Sequence, residues 1–150
     1  MIIRRLVVLS TFIAVWASSV MAQELLPSTV LMRDMSNSFY RDLNSMVKGE
    51  TPFDAKKAES AFRNLSAGAG KISATVNQSL KGKSSPDSRY AASPKVWENR
   101  ADFDAQAAKL VQVLQESQPK AGTPEGLKAV YSSVNNACNS CHENYRVRTK

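Results

Sequence analysis

Histidine and cysteine are almost absent from this chain of 150 residues, which has one His and two Cys. All three lie in the five-residue segment CNSCH, which runs from Cys138 to His142. A structural zinc site takes four protein ligands, so the chain has too few Cys and His residues for one. There is no second histidine, and no pair of carboxylates recurs at an inward-facing helical spacing. The sequence therefore does not predict an enzyme.

Long apolar runs are lacking outside the N-terminal region. Arg4 and Arg5 precede a mostly apolar stretch, and small residues follow up to Ala22, the arrangement of a secretory signal peptide. The stretch is shorter and richer in Ser and Thr than a typical membrane-spanning helix. We therefore predict that residues 1–22 are a cleaved signal peptide. Residues 23–150 then form one periplasmic domain that is not inserted in the membrane.

The excess of positive charge is modest. Without the two arginines of the signal peptide, the 20 Lys and Arg become 18, against 13 Asp and Glu, a formal net charge of +5. An excess of this size, spread along the chain, suits encounters with acidic protein surfaces. No basic helix with interleaved aromatic residues occurs, so nucleic acid is not an expected partner.

Sustained alternation of apolar and polar residues, the signature of strands, is also lacking. Instead, apolar residues recur every three or four positions, as in helices with one buried face. Three Ser/Thr-Pro pairs, which begin at Thr51, Ser93 and Thr123, supply helix start signals. The predicted helices cover about residues 28–48, 52–80, 94–118 and 124–148. Short connections make neighbouring helices antiparallel, so the predicted fold class is all-α, an up-down-up-down four-helix bundle.

The segment CNSCH is compatible with several kinds of site. A disulfide between Cys138 and Cys141 would close a very small loop and stabilise the fold little. A thioredoxin-type pair lies at a helix N-terminus, whereas these cysteines lie deep inside the fourth predicted helix. C-x-x-C-H is the attachment signal of a c-type haem. Positions 138, 141 and 142 share one helix face, which continues the apolar stripe into the bundle. The sequence therefore predicts one haem c per chain.

With these features in place, the chain resembles the class II cytochromes c, the cytochrome c′ family. Three stretches carry the resemblance: MVKGETPFDAKKAESA, SPKVWENRADFDAQA and ACNSCHENYR. The resemblance implies a covalent haem c attached through Cys138 and Cys141, with His142 as the proximal iron ligand. It also implies a basic residue shortly after that ligand, matched here by Arg146. Arg146 is either a contact to the haem edge or a propionate, or an ordinary solvated arginine near a helix end.

The resemblance makes the function depend on the distal side of the iron. One branch of the family leaves the iron five-coordinate, while a low-spin branch supplies a methionine from the first helix. Met32, Met35 and Met46 all lie in the first predicted helix. The stretch LMRDMSNSF resembles the low-spin branch and implies Met32 as the distal ligand, with Met35 as the fallback. The spacing from Met32 to Gly49 is one residue longer than expected for the family, which leaves this register open.

We therefore expect a soluble periplasmic electron carrier with a six-coordinate His/Met haem c that serves redox partner proteins. The alternative is a five-coordinate, high-spin cytochrome c′ that binds nitric oxide or carbon monoxide. Methionines on this stripe also fit simple core packing, which would leave the iron without a sixth ligand. The charges on the first helix, among them Arg33, Asp34 and Arg41, are compatible with either a monomer or a homodimer.

Overall fold

The computed structural model describes residues 24–149, so the predicted signal peptide lies outside the described residues. Within this range the helical segments are α1 (Pro27–Ser36), α2 (Ser45–Val47), α3 (Ala55–Ala69), α4 (Ile72–Thr75), α5 (Lys95–Glu98), α6 (Arg100–Ser117) and α7 (Pro124–Tyr145). The strands are β1 (Tyr90–Ala92) and β2 (Arg146–Arg148), and 3-10 turns lie at Gln78–Leu80 and Gln118–Lys120. A π-helical stretch, Asn37–Asn44, joins α1 to α2.

These segments form four bundle helices around one apolar core. Bundle helix 1 comprises α1, the π-helical stretch and α2; bundle helix 2 comprises α3 and α4; bundle helix 3 comprises α5 and α6; and bundle helix 4 is α7. Each helix packs against the next, and α7 closes the bundle against the π-helical stretch and α2. Phe62, Leu114 and Leu127, from three different bundle helices, are at most 1% exposed. The predicted all-α, up-down-up-down bundle is confirmed.

Bundle helix 2 departs from its predicted limits at both ends. Thr51 does not cap it; Asp54 does, since its carboxylate accepts a backbone N–H of the first turn at 3.0 Å. The regular helix then ends at Ala69, which stands between Gly68 and Gly70, two residues of weak helix propensity, and α4 continues only to Thr75. The single long helix predicted for residues 52–80 is therefore wrong in its limits and in its continuity.

The C-terminus also departs from the predicted helix. Bundle helix 4 ends at Tyr145, and Arg146 takes the extended backbone conformation, with φ −121° and ψ 135°. Strand β2 pairs with β1 in an antiparallel two-stranded sheet, in which Ala91 lies opposite Val147. The N–H of Ser93 donates to the Tyr145 carbonyl at 2.9 Å. The sequence did not predict this sheet, because strands of three residues are too short to show alternation.

The loop between bundle helices 2 and 3 is bonded to the rest of the protein at two places. Its C-terminal part is the strand β1, which is bonded to the C-terminal strand β2. In its middle, the buried Ser85 hydroxyl accepts the N–H of Leu26 at 2.9 Å and lies 2.8 Å from the Thr29 hydroxyl. The loop is therefore hydrogen-bonded both to the strand that follows α7 and to the start of α1.

The π-helical stretch changes the register of bundle helix 1. Each N–H in a π-helix bonds to a carbonyl five residues back instead of four, so the turn holds an additional residue. The Ser45 hydroxyl donates to the carbonyl of Arg41 at 2.7 Å and to that of Asp42 at 3.1 Å. The stretch lies between Met32 and Gly49, within the spacing that leaves the register of the first helix open. None of the helices within the described residues is long and apolar enough to cross a membrane.

Candidate functional site

A cavity of about 500 Å³ lies between α1 and the C-terminal half of α7. Protein interiors pack densely and contain few voids larger than a water molecule, so a cavity of this size is space for a ligand. Its volume falls within the range of about 300–1,000 Å³ that is usual for ligand and cofactor pockets. The apolar part of its wall consists of Met35, Phe39, Leu65, Ile72, Val76, Leu80, Val96, Phe103 and Leu110.

The three residues of the CNSCH motif lie together on the α7 side of this cavity. Cys138, Cys141 and His142 all contribute to its wall, and each is half-buried. Both cysteines are free thiols. The i, i+3, i+4 spacing predicts that the three side chains share one face, and the structure shows that this face is turned to the cavity.

Burial sets the protonation state of these three groups. It raises the pKa of the Cys138 thiol to about 11 and also raises the pKa of Cys141, so both are protonated at neutral pH. Burial, together with the positive charge of Arg146, lowers the pKa of His142 to about 4. The imidazole is therefore neutral at neutral pH, and a neutral imidazole is the form that binds a metal ion.

Two methionines form part of the α1 side of the cavity. Met35 is 7% exposed and packs against Gly68 of α3, where a Cβ atom would lie 2.6 Å from its Cγ and 2.9 Å from its Sδ. Met32 is half-buried and also lines the cavity. Met46 lies elsewhere in the bundle, where its sulfur accepts the N–H of Asp54 at 3.3 Å. The structure thus brings Met32 and Met35 into the same cavity as the CNSCH motif.

The loop between bundle helices 2 and 3 supplies a polar side of the cavity that sequence reasoning did not assign. Residues 83–85 and 87–92 all contribute to the wall. Their composition is that of an ordinary surface loop, and no pattern in it indicates a binding site. These residues reach the cavity because the two-stranded sheet and the hydrogen bonds of Ser85 hold the loop in place.

Arg146 also lines the cavity, although it lies beyond the end of α7. The helix predicted for residues 124–148 is therefore wrong at this end, and helical geometry does not bring Arg146 to the cavity. The guanidinium carbon lies 4.4 Å from the ring centre of Tyr90 on the paired strand. Pairing between the strands, with stacking on that ring, holds the arginine at the edge of the cavity.

Aromatic side chains fix the two ends of the cavity wall. Phe39 stacks on Tyr131 of α7, with ring centres 4.9 Å apart and 13° between the ring planes. The Tyr131 hydroxyl donates to the side-chain carbonyl of Asn44 at 2.7 Å. These contacts join the π-helical stretch to α7 next to the cavity, whose wall includes Phe39.

At the other end, Phe103 packs edge-on against Tyr145, with ring centres 5.3 Å apart. The Tyr145 hydroxyl donates to the Asp102 carboxylate, and this bond raises the pKa of the tyrosine to about 12. Phe103 forms part of the cavity wall. Trp97 is half-buried, and its indole N–H donates to the Asn77 carbonyl at 3.2 Å.

The residues of this cavity fit a covalently attached haem c. Two thiols and a neutral imidazole lie on one side, which matches the attachment signal read from the sequence. The remaining wall is largely apolar, as in pockets that bury a flat cofactor. The cavity is open at its edge, next to the loop, where charged side chains gather. This site is where a haem c would be held.

Comparisons with known proteins agree with this geometry. A family model described as Cytochrome C′ matches residues 28–146. Cytochrome c-555 of Bradyrhizobium diazoefficiens is 34% identical over 149 residues, which cover 98% of this chain and 99% of that protein. Cytochrome c-556 of Rhodopseudomonas palustris is 32% identical over 144 residues, with coverages of 95% and 96%. The solved structure of cytochrome c′ from Rhodopseudomonas palustris superimposes with a TM-score of 0.72 at 27% identity and covers 81% of this chain and 94% of its own.

Proposed function

The chain belongs to the cytochrome c′ family, and from this premise we propose that it is an electron carrier with one covalent haem c whose iron is held between His142 and Met32. The observation that carries the proposal is the cavity shared by the CNSCH motif of α7 and Met32 of α1. Haem iron supplies one-electron chemistry between its ferric and ferrous states. The relatives named above are cytochromes, and electron transport, not catalysis, is the proposed role.

The residues of α7 attach and orient the cofactor. Cys138 and Cys141 would each hold the haem through a thioether bond, the product of adding a thiol S–H to a vinyl group. His142 follows directly on the second thiol, and its neutral imidazole supplies the proximal nitrogen ligand. These three roles rest on the motif and on the common wall of the cavity.

Met32 is proposed as the distal ligand in preference to Met35. The sulfur of Met35 is already packed against the backbone of α3 at Gly68. Met32 is half-buried in the cavity wall, on the same helix face one turn earlier, so its thioether is the one available to the iron. A thioether opposite an imidazole favours reduced iron and raises the reduction potential. It also occupies the position at which nitric oxide or carbon monoxide would bind.

Basic residues at the edge of the cavity provide a surface for an electron-transfer partner. Arg33, Lys83, Arg89 and Arg146 line the cavity, with Asp87 as the acidic residue among them. This local charge suits an acidic partner surface and speeds encounter through long-range attraction. Arg146 is in addition proposed to contact the haem edge or a propionate. Whether the carrier is a monomer or a homodimer does not alter these roles.

Export is the last part of the proposal. The signal peptide of residues 1–22 directs the chain to the periplasm, and residues 23–150 are the mature domain. N-terminal sequencing of purified holoprotein is expected to begin at Gln23. A first residue upstream of Gln23 would contradict cleavage after Ala22.

The ligand assignment is tested with three matched substitutions on bundle helix 1. Replacement of Met32, Met35 or Met46 by leucine keeps the volume of the side chain nearly constant. We expect Met32→Leu to convert the optical spectrum from low-spin to high-spin and to open rapid carbon monoxide binding. Met35→Leu and Met46→Leu should leave both properties unchanged. A high-spin spectrum of the unmodified protein would favour the five-coordinate, gas-binding alternative instead.

A further inference from the structure

Met35 and Met32 lie one turn apart on the same helix and line the same cavity, but Met35 is the more deeply buried of the two and packs closely on one residue of α3. That contact is with Gly68, a buried residue of α3. Carbon atoms in favourable contact lie about 3.5–4.0 Å apart. A Cβ atom at Gly68 would lie 2.6 Å from Cγ and 2.9 Å from Sδ of Met35. Any residue other than glycine at this position would displace the Met35 side chain.

Gly68 has no conformational reason to be a glycine. It lies inside α3, and its backbone does not take a positive φ, in contrast to Gly49 at +72°. A glycine inside a helix destabilises that helix relative to alanine. Close approach of another group is therefore the physical reason for glycine here, and the group that approaches is the thioether of Met35.

We propose that Gly68 is a positioning residue that selects Met32 as the distal ligand, because it holds the sulfur of Met35 in a recess of α3. The inference rests on the proposed His142/Met32 ligation and adds the reason for the choice between two methionines. A Met35 side chain that loses this recess has the cavity as its adjacent open space, since it already forms part of the cavity wall. Leu31 would remain in place, because its Cδ1 lies at an ordinary 3.6 Å from the same Cβ position.

The test starts from Met32→Leu, in which the first-choice ligand is absent. With Gly68 present, Met35 stays in its recess and the iron is high-spin. The double variant Met32→Leu/Gly68→Ala releases Met35 and is expected to recover a low-spin spectrum. If Met35 then occupies the iron about nine-tenths of the time, the affinity for carbon monoxide falls about tenfold relative to Met32→Leu. Adding Met35→Leu as a third substitution should return the protein to the high-spin, rapidly binding state.

Gly70 provides a matched control on the same segment. A Cβ atom there meets only backbone oxygens of Ser66 and Ala67, at 3.6 and 3.9 Å, which are ordinary contacts. Met32→Leu/Gly70→Ala should therefore stay high-spin. A folded Met32→Leu/Gly68→Ala protein that also stays high-spin would overturn the proposal while leaving the Met32 assignment intact. If Met32→Leu alone is still low-spin, the ligand assignment itself fails.

A single variant covers the case in which the double variant does not fold. In Gly68→Ala the displaced Met35 competes with Met32, and the reduced protein should show two methionine methyl signals shifted by the ring current of the haem in its NMR spectrum where the parent shows one. The second signal should vanish when Met35→Leu is added. One unchanged signal from folded Gly68→Ala would contradict the proposal.

Discussion

Arg100 joins bundle helix 3 to the end of bundle helix 2, and its replacement by alanine should destabilise the protein far more than a surface arginine would. The guanidinium donates to the carbonyls of Val76 and Ser73, each at 2.6 Å, and its Nε donates to Asp104 at 3.0 Å. It also lies 5.3 Å from the ring centre of Phe103. Ser73 lies in α4 and Val76 is the residue that caps its end, where helix carbonyls lack partners within the helix.

The size of the effect follows from these contacts. A hydrogen bond to a charged group contributes about 1.5–3 kcal/mol, but the side chain is 36% exposed, so roughly half of that applies to each carbonyl bond. The exposed pair with Asp104 adds roughly 0.3–0.5 kcal/mol, and the ring contact adds about 0.5–1 kcal/mol. The expected loss is about 2–4 kcal/mol, a fall in the melting temperature on the order of 10 °C for a domain of this size.

Arg63 supplies the matched control. It also forms an i, i+4 ion pair, with Glu59 at 2.5 Å, but it is 58% exposed and the carboxylate that it binds is equally exposed. Arg63→Ala should cost less than about 0.5 kcal/mol. Thermal unfolding of both holoproteins, followed by circular dichroism, compares the two variants directly. Arg100→Lys should recover only part of the loss, because lysine lacks the planar fork that reaches two carbonyls.

Equal melting temperatures for Arg100→Ala and Arg63→Ala would refute this reasoning. That result would mean that water replaces the guanidinium at the two carbonyls at no cost. Full recovery by Arg100→Lys would refute the second part, because charge alone would then account for the stabilisation.

Two further predictions concern the loop and the acid range. Ser85→Ala removes the acceptor of the Leu26 N–H, so hydrogen exchange in residues 81–93 should become faster, whereas the exposed neighbour Ser84→Ala should leave exchange unchanged; equal effects would contradict the role of Ser85. The hydrogen bond from Arg100 holds the pKa of Asp104 below its ordinary 3.8. As the pH falls, Asp104 therefore takes up its proton in the unfolded chain before it does so in the folded protein. The ionised carboxylate stabilises the folded state above pH 3.8, and this stabilisation is lost as the pH falls through the lower pKa of the folded state. Urea unfolding on both sides of pH 3.8 should show that the free energy of unfolding falls less steeply with decreasing pH in Asp104→Asn than in the parent protein. Equal slopes for the two proteins would contradict this role of Asp104.

Helical periodicity was sufficient to predict the bundle and the common face of Cys138, Cys141 and His142. Both depend on a spacing of three to four residues that any regular helix imposes. The limits of the helices were less predictable, because they depend on competition between neighbouring signals. Thr51-Pro52 is a good start signal, but Asp54 made the capping bond.

The features that shape the cavity depend on contacts between distant parts of the chain, which periodicity does not record. Arg146 reaches the cavity through a strand paired with β1, and the loop reaches it through Ser85. The recess for Met35 exists because of Gly68, which is 33 positions away in sequence. The sequence therefore indicated two candidate methionines without a physical basis for choosing between them.

The π-helical stretch has a consequence for changes in chain length. Because its wider turn holds one residue more than an α-helical turn, loss of one codon within Asn37–Asn44 would convert the stretch to a regular α-helix and leave α1 where it is. Met32 and Met35 would keep their places in the cavity wall, although each would stand one residue nearer to Gly49 in the sequence. The stretch therefore separates the geometry of the cavity from the number of residues in bundle helix 1.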